Sequence, residues 1–336
     1  MRDARPERHA QAWQVWAALG IVYVVWGSTY LAIRVVVDTM PPLLTAGVRH
    51  GVAGVIIFAL LVLSRGTGAL RLTRGEWLGG GFVGLALLLG GNGLVVLGER
   101  DVPSALAALI IAVVPLTVVV LRRLFGEHVS VGTFVGVATG FAGVAVLILP
   151  RGMSGEVSLP GMLMLLAAAF SWSIGSYLSK RLSLPHDPLA STGVQMLVGG
   201  AALVVVGLGA GEIGLARFED FSTASVLSLA YLVVFGSVLA YTAYTWLLQH
   251  ATVSRVATYA YVNPVVALVL GAALLKERID AAMLVGAAMI LVSVALVVRT
   301  ESRIAQPTGA AGASPAASEA IIEEEEREAE ALNRPA

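Results

Sequence analysis

Polar and aromatic side chains recur inside stretches of this sequence that are otherwise apolar. Polar groups within a hydrocarbon layer are costly and mostly face protein or water, so they are the first candidates for function. Tyrosine and tryptophan rings can hold a cation, but they also anchor proteins at the membrane interface, which is the favoured interpretation for Trp13, Trp16 and Trp246. The predicted substrate-binding residues are Trp26, Ser28, Tyr30, Asn92, Trp172, Ser176, Tyr241, Tyr244, Tyr259, Tyr261 and Asn263.

Two prolines, Pro115 and Pro264, also lie within apolar stretches. Proline removes a backbone donor and crowds the preceding turn, so each is predicted to break its helix and to act as a gating point. Carbonyl groups freed in this way would suit a substrate ammonium group if they face a cavity. We therefore expect a central cavity lined by the first, third, fourth, sixth, eighth and ninth apolar stretches.

Arg34 and Arg49 are predicted near the extracytoplasmic ends of the first two apolar stretches. In one interpretation they extend toward the membrane surface or form hydrogen bonds between helices. In the other they form a cationic exit vestibule, which attracts carboxylates or excludes cations. The sequence leaves both interpretations open.

Acidic residues near the apolar stretches are predicted only at helix ends, at Asp38, Glu99, Asp101, Glu127 and Glu277. A proton relay ordinarily uses a buried carboxylate or histidine, and His50 is the one histidine that falls within a predicted span. We therefore expect no buried carboxylate, and a facilitator is as compatible with the sequence as a proton-coupled carrier. The sequence has no cysteine, HExxH motif or Walker loop, so we expect no cofactor, no metal site, no catalytic residue and no use of ATP.

The elements that position these residues are predicted to be apolar helices. Apolar side chains make up 57% of the 336 residues, charged ones make up 13%, and the mean hydropathy is +0.84, whereas soluble domains average about 25% charged residues. Runs of about twenty apolar residues can cross a membrane as helices. We predict an all-α integral membrane protein with ten transmembrane helices, at about 14–37, 43–64, 76–98, 103–123, 130–149, 159–180, 189–210, 224–248, 253–275 and 280–299.

The distribution of charge predicts orientation and partners. If the N-terminus is cytoplasmic, ten spans return the C-terminus there, and most Lys and Arg residues outside the spans then lie on the cytoplasmic side. Residues 1–13 then form a cytoplasmic tail, and residues 301–336 form an acidic tail that is predicted to be disordered. A net charge of zero argues against a nucleic-acid partner. We expect a small-molecule substrate, a surrounding lipid bilayer in the cytoplasmic membrane, and a monomer or weak homodimer.

The sequence also repeats itself after about 150 residues. Ser104 opens a predicted helix that contains Pro115 and is followed by Glu127, and the same order recurs in the second half at Ser254, Pro264 and Glu277. The predicted repeats are 14–150 and 159–300, with five spans each. Because five is odd, the second repeat must enter the membrane from the opposite side. In secondary transporters, such inverted repeats place the substrate near the midplane, and alternating access arises when one repeat rocks against the other.

Several motifs resemble the drug/metabolite transporter superfamily. They are Trp26-Gly-Ser-Thr-Tyr-Leu-Ala-Ile-Arg34, Pro41-Pro42, Gly91-Asn92-Gly93, Val102-Pro-Ser104 and Tyr259-Ala-Tyr-Val-Asn-Pro-Val-Val266. Over about residues 14–299 the chain is most similar to the EamA family and, within it, to YedA-type inner-membrane exporters. This resemblance implies a secondary transporter that exports small metabolites such as amino acids, their derivatives or toxic analogues. A sensor or scaffold without flux and a membrane-embedded enzyme are the alternatives.

Overall fold

The fold is seen in a computed structural model, which describes residues 12–154, 157–251, 256 and 259–304. For residues 150–154, 215, 261, 298 and 301–304 only the backbone is described. The described residues form helices and turns, and no β-strand occurs among them. Most of the two predicted tails, at 1–11 and 305–336, lies outside the described residues.

Ten long helices follow one another in the described part of the chain. We number them α1 Ala12–Val37, α2 Pro42–Arg65, α3 Arg74–Gly98, α4 Ser104–Leu124, α5 Val131–Ser154, α6 Leu159–Leu178, α7 Pro188–Gly209, α8 Thr223–His250, α9 Tyr259–Leu274 and α10 Ala281–Ile304. Eight of these, α1 to α8, contain apolar segments long enough to cross a membrane, and shorter apolar helices at Val262–Leu274 and Ala281–Val297 lie within α9 and α10. The prediction of an all-helical membrane protein is confirmed, whereas the exact number of ten spans stays a prediction.

Helix ends are fixed by local sequence. Pro42 begins α2 directly after the extended residue Pro41, and Gly66 ends it with a φ of 78°, a left-handed conformation that favours glycine. Thr73 and Glu76 form a capping box at the start of α3, in which each side chain binds the other residue's backbone N–H. These ends keep the connections between consecutive helices short.

Three helices have irregular backbone near their middles. The helix α4 is divided into Ser104–Ile111 and Val114–Leu124, and Pro115 is the second residue of the second piece. This is the break expected at Pro115, whereas Pro264 lies inside α9, which continues through it. The helices α3 and α8 instead contain π-helical segments, Leu85–Gly93 and Leu232–Tyr241, which sequence analysis did not anticipate.

Helices of the first half (12–154) pack mainly against helices of the second half (157–304). The helix α2 packs on α7, α5 packs on α10, and α1 and α4 each pack on α9. The contacts of α3 and α4 with α6 have counterparts in those of α8 and α9 with α1, as expected if the halves are equivalent. Small residues allow the closest approaches: a Cβ on Gly200 of α7 would lie 2.7 Å from the backbone nitrogen of Gly51 in α2.

Candidate functional site

A small cavity lies at the centre of the bundle, between the two halves. Its volume is about 70 Å³, which is room for roughly two water molecules at ~30 Å³ each and far below the ~300 Å³ of a typical ligand pocket. The six helices expected to line it all do so, and α2 joins them. The predicted residues that line the cavity are Trp26, Tyr30, Arg49, Asn92, Trp172, Tyr241, Tyr259 and Asn263. Most of the predicted substrate-binding residues therefore lie at the cavity, although more than half of its lining residues were not predicted.

Five rings from both halves form an aromatic cluster at the cavity, consisting of Trp26, Trp172, Tyr241, Tyr244 and Tyr259. Trp26 is at its centre, with ring centroids 5.5 Å from Trp172, 4.8 Å from Tyr244 and 5.6 Å from Tyr259. The first and third of these contacts are edge-to-face, a geometry that aromatic quadrupoles favour. The cluster joins α1, α6, α8 and α9, so any relative movement of the halves must rearrange it.

Hydrogen bonds fix the polar ends of these rings. The indole nitrogen of Trp26 donates to the carbonyl oxygen of Gly236 at 3.2 Å, within the π-helical segment of α8. The Trp172 indole donates to the Tyr244 hydroxyl at 3.3 Å, and the Tyr241 hydroxyl donates to the side-chain oxygen of Gln195 at 2.7 Å. Gln195 was not anticipated as a neighbour of the site. Because these groups are partnered, the ring faces are what the cluster offers to a ligand.

Three predicted residues, Ser28, Ser176 and Asn263, form hydrogen bonds with other helices, and of these only Asn263 also lines the cavity. The Ser28 hydroxyl bonds to that of Tyr231 at 2.6 Å, between α1 and α8, and it does not line the cavity. The Ser176 hydroxyl supports Tyr244 at 2.9 Å. The Asn263 amide, oriented with its nitrogen toward backbone carbonyls, donates to Tyr23 at 3.1 Å and so holds α9 against α1. The side chain of Tyr261 lies outside the described residues.

A polar network crosses one side of the cavity from α2 to α3 and α8. The Arg49 Nε donates to the Ser237 hydroxyl at 2.8 Å, and the same hydroxyl is 3.4 Å from His50 Nδ1. The other ring nitrogen of His50 is 3.2 Å from the side-chain oxygen of Asn92. Arg49 is only 4% exposed, so it does not extend toward the membrane surface. Its bond to Ser237 instead joins α2 to α8, which matches the interpretation as a hydrogen bond between helices. Within the described residues its Nη1 has no hydrogen-bond partner.

Arg34 lies apart from this network. Its Nη1 donates to the backbone carbonyls of Glu99 and Arg100, at 2.7 and 2.6 Å, and its Nη2 lies 3.5 Å from Asp38. Arg34 therefore holds the segment that follows α3 against the end of α1. Of the two predicted vestibule arginines, Arg49 lines the cavity and Arg34 does not.

Glu99 corrects an expectation. Its side chain is fully buried, so the expectation that no buried carboxylate exists is wrong. Glu99 does follow the last residue of α3, as predicted, but the surrounding helices cover this end and keep it from solvent. Helix ends were expected at the membrane surface, and no sequence pattern indicates that other helices cover this one.

Carboxylates connect the two halves at two places. Glu277, in the segment after α9, accepts hydrogen bonds from the backbone nitrogen and hydroxyl of Ser104, both at 2.8 Å, and from the Ala105 nitrogen at 3.0 Å. It therefore caps the first turn of α4 from the other half. Its counterpart Glu127, after α4, binds Arg122 at 2.7 Å and Arg181 at 2.9 Å. The hydrogen bond from Arg122 lowers the pKa of Glu127 to about 2.

Comparison with known proteins assigns the chain to a family. The model described as the EamA-like transporter family matches it twice, over residues 13–149 and 159–299. The chain belongs to the EamA-like transporter family. The resemblance read from the motifs is thereby confirmed, and the chain is a multi-pass membrane transporter rather than an enzyme.

Relatives with curated names agree with this assignment. The inner membrane transporter YedA of Escherichia coli K12 is 37% identical over 274 residues, which cover 81% of this chain and 87% of YedA. A probable amino-acid metabolite efflux pump of the same strain is 28% identical over 279 residues, with coverages of 81% and 90%. One protein of known crystal structure has a TM-score of 0.61 at 20% identity and covers 88% of this chain and all of its own; this likeness supports the fold alone.

Proposed function

We propose that this EamA protein is a secondary transporter that exports small metabolites, such as amino acids, their derivatives or toxic analogues, across the cytoplasmic membrane. The observation that carries the proposal is the cavity at the seam between the halves, lined by residues of both. The name of one relative, a probable amino-acid metabolite efflux pump, supports the substrate class. In the proposed orientation both termini are cytoplasmic, and the protein acts as a monomer or weak homodimer.

The transport mechanism we propose is alternating access between two halves of inverted topology. The equivalent contacts of α3 and α4 with α6 and of α8 and α9 with α1 support a two-fold relation between the halves. The 70 Å³ cavity is too small for an amino acid, so we interpret this conformation as contracted and expect the cavity to expand when substrate enters. The Glu277 cap on Ser104 and Ala105 then closes the extracytoplasmic end.

A zwitterionic substrate fits the chemistry of the cavity. The unpartnered Nη1 of Arg49 can approach a carboxylate once the cavity expands, because an arginine guanidinium suits planar anions. The face of Trp26 can hold an ammonium group, and the cavity wall beside it includes Ile111 and Val114, which flank the break in α4. Arg49 and the aromatic cluster would thus bind the two charged groups of an amino acid.

Flux through reconstituted vesicles tests the proposal. Wild-type protein should give saturable flux of some members of a panel of radiolabelled amino acids. Trp26→Ala should lower the flux about tenfold or more, since a desolvated cation–π contact contributes ~2 kcal/mol and 1.4 kcal/mol is tenfold. Tyr261→Ala and Asn263→Ala should abolish it. Trp16, which is 59% exposed, provides the matched control, and Trp16→Ala should transport normally.

Each outcome separates the alternatives. Unchanged flux in the Asn263→Ala and Trp26→Ala vesicles, with protein inserted normally, would contradict the assignment of the site. Wild-type protein that binds amino acids but gives no flux would favour the sensor or scaffold.

A further inference from the structure

Glu99 is a buried carboxyl group whose oxygens have no hydrogen-bond partner within the described residues. Its side chain is 0% exposed. Other buried or bridging glutamates are satisfied: Glu212 accepts from the backbone nitrogens of Leu43 and Leu44 at 3.2 and 2.8 Å, and Glu277 accepts three hydrogen bonds. Glu99 therefore differs from the carboxylates that cap helices in this protein.

Several titratable groups interact electrostatically with Glu99 but do not pair with its carboxylate. They are Arg34 and Tyr30 on α1, Arg49 on α2 and Glu277 after α9. Arg34 is held by two backbone carbonyls and Asp38, and the Arg49 Nε is held by Ser237. No ion pair within 4.0 Å reaches Glu99 in the described part of the chain.

These surroundings favour the neutral acid. An ionised carboxylate that is buried without a partner loses its hydration and gains no compensating hydrogen bond. Burial, together with the negative charge of Glu277, raises the pKa of the Glu99 carboxyl well above its usual range, and Arg34 and Arg49 offset only part of this. The burial of Glu99 and the charges around it therefore both favour the protonated carboxyl group in this conformation.

We propose that Glu99 is a proton-binding site, which carries a proton in this contracted conformation and releases it when the Glu277 end of the bundle opens. On opening, water reaches Glu99, its O–H bond breaks, the proton passes to water, and the carboxylate is left to pair with Arg49 or Arg34. On closing, the carboxylate takes a proton from a hydronium ion in the water at the same end before it is buried. Closure, and with it export, should then depend on the pH at the Glu277 end, an inference that rests on the proposed function.

A vibrational measurement tests the site without any substrate. Infrared spectra of the full-length protein in lipid at neutral pH should show the carbonyl stretch of a protonated carboxylic acid. Glu99→Gln should lose this band, whereas Glu212→Gln, which removes a buried but hydrogen-bonded carboxylate, should keep it. A wild-type spectrum without the band, or an equal band in Glu99→Gln, would overturn the proposal.

Stability gives a second readout. Glutamine resembles the protonated acid in shape and charge, so Glu99→Gln should have a thermal midpoint no lower than that of the wild type. A clear loss of stability would instead mean that an ionised Glu99 is needed in this conformation, against the proposal.

Flux assays then address the link to transport. With the amino-acid panel as probe, wild-type flux should change with the pH at the Glu277 end, and Glu99→Gln vesicles should retain exchange and lose this pH dependence. An unchanged pH dependence in Glu99→Gln would refute a role of Glu99 in closure. A wild type without any flux would count against the proposed function, while the infrared result would still decide whether Glu99 binds a proton.

Discussion

The carboxylate cap of Glu277 on α4 predicts how the conformational equilibrium responds to one substitution. In Glu277→Gln only one oxygen remains, so the hydrogen bonds to Ser104 and Ala105 cannot all be kept, and the charge beside the helix N-terminus is lost. A hydrogen bond to a charged group contributes about 1.5–3 kcal/mol, and the charge–dipole interaction adds ~0.5 kcal/mol. The contracted conformation should therefore be destabilised by about 2–3.5 kcal/mol, or roughly 30- to 300-fold in population.

The absence of native cysteine makes the assay direct. The chain has no cysteine, so Val95→Cys introduces a single thiol in a cavity-lining residue of α3 that is 8% exposed. A membrane-impermeant maleimide added from outside should label this thiol slowly in the parent and roughly 30- to 300-fold faster with Glu277→Gln. Glu127→Gln in the same background is the matched control at the other predicted end, and it should not accelerate labelling. Equal rates with and without Glu277→Gln would refute the interpretation of Glu277 as a gate.

Two further predictions concern stability. The hydrogen bond from Arg122 lowers the pKa of Glu127 from 4.5 to about 2. The stability that Glu127 contributes is therefore present above about pH 4.5 and is lost as the pH falls toward 2. Because the side chain is about one-third exposed, we expect this contribution to be only ~1 kcal/mol. Thermal midpoints from pH 6 to pH 3 should therefore fall less in Glu127→Gln than in the wild type. A Cβ on Gly140 would lie 2.6 Å from the Ser293 hydroxyl, so Gly140→Ala should separate α5 from α10 and lower the midpoint, whereas Gly20→Ala, with no atom within 4 Å of its added Cβ, should not. A midpoint unchanged in Gly140→Ala would contradict close packing there.

The sequence predicted the lining of the cavity better than its electrostatics. Trp26, Trp172 and Asn92 could be identified because polar and aromatic groups in apolar stretches mostly face the protein interior. The direction of the Ser28 hydroxyl could not be predicted, because Ser28 and Tyr30 lie two residues apart and only Tyr30 reaches the cavity. The burial of Glu99 was missed because it depends on how other helices cover the end of α3, which no single stretch of sequence records.

The π-helical segments were also outside the reach of sequence patterns, yet they explain part of the site. Each adds a residue to a turn, which rotates the side chains that follow and leaves backbone carbonyls free to bond elsewhere. In α8 the segment includes Gly236, whose carbonyl accepts from Trp26, and Ser237, which holds Arg49. In α3 it includes Asn92, which binds His50. The two segments occupy equivalent helices of the two repeats, so the same backbone irregularity positions polar groups on both sides of the cavity.

Glu127 and Glu277 have different partners, so the two ends of the bundle are not equivalent in this conformation. The two residues occupy the same place in the repeat, but Glu277 caps the helix of the opposite half while Glu127 is bound by Arg122 and Arg181. If the halves exchange roles during transport, Glu127 should in turn bind near the N-terminal end of the equivalent helix, α9, when the Glu277 cap is broken. Only one cap then needs to form in each conformation, and Glu99, buried beside the Glu277 cap, would bind its proton as that cap closes. The gate and the proton site are thus expected to respond together, and Glu277→Gln should weaken the infrared band of the protonated Glu99.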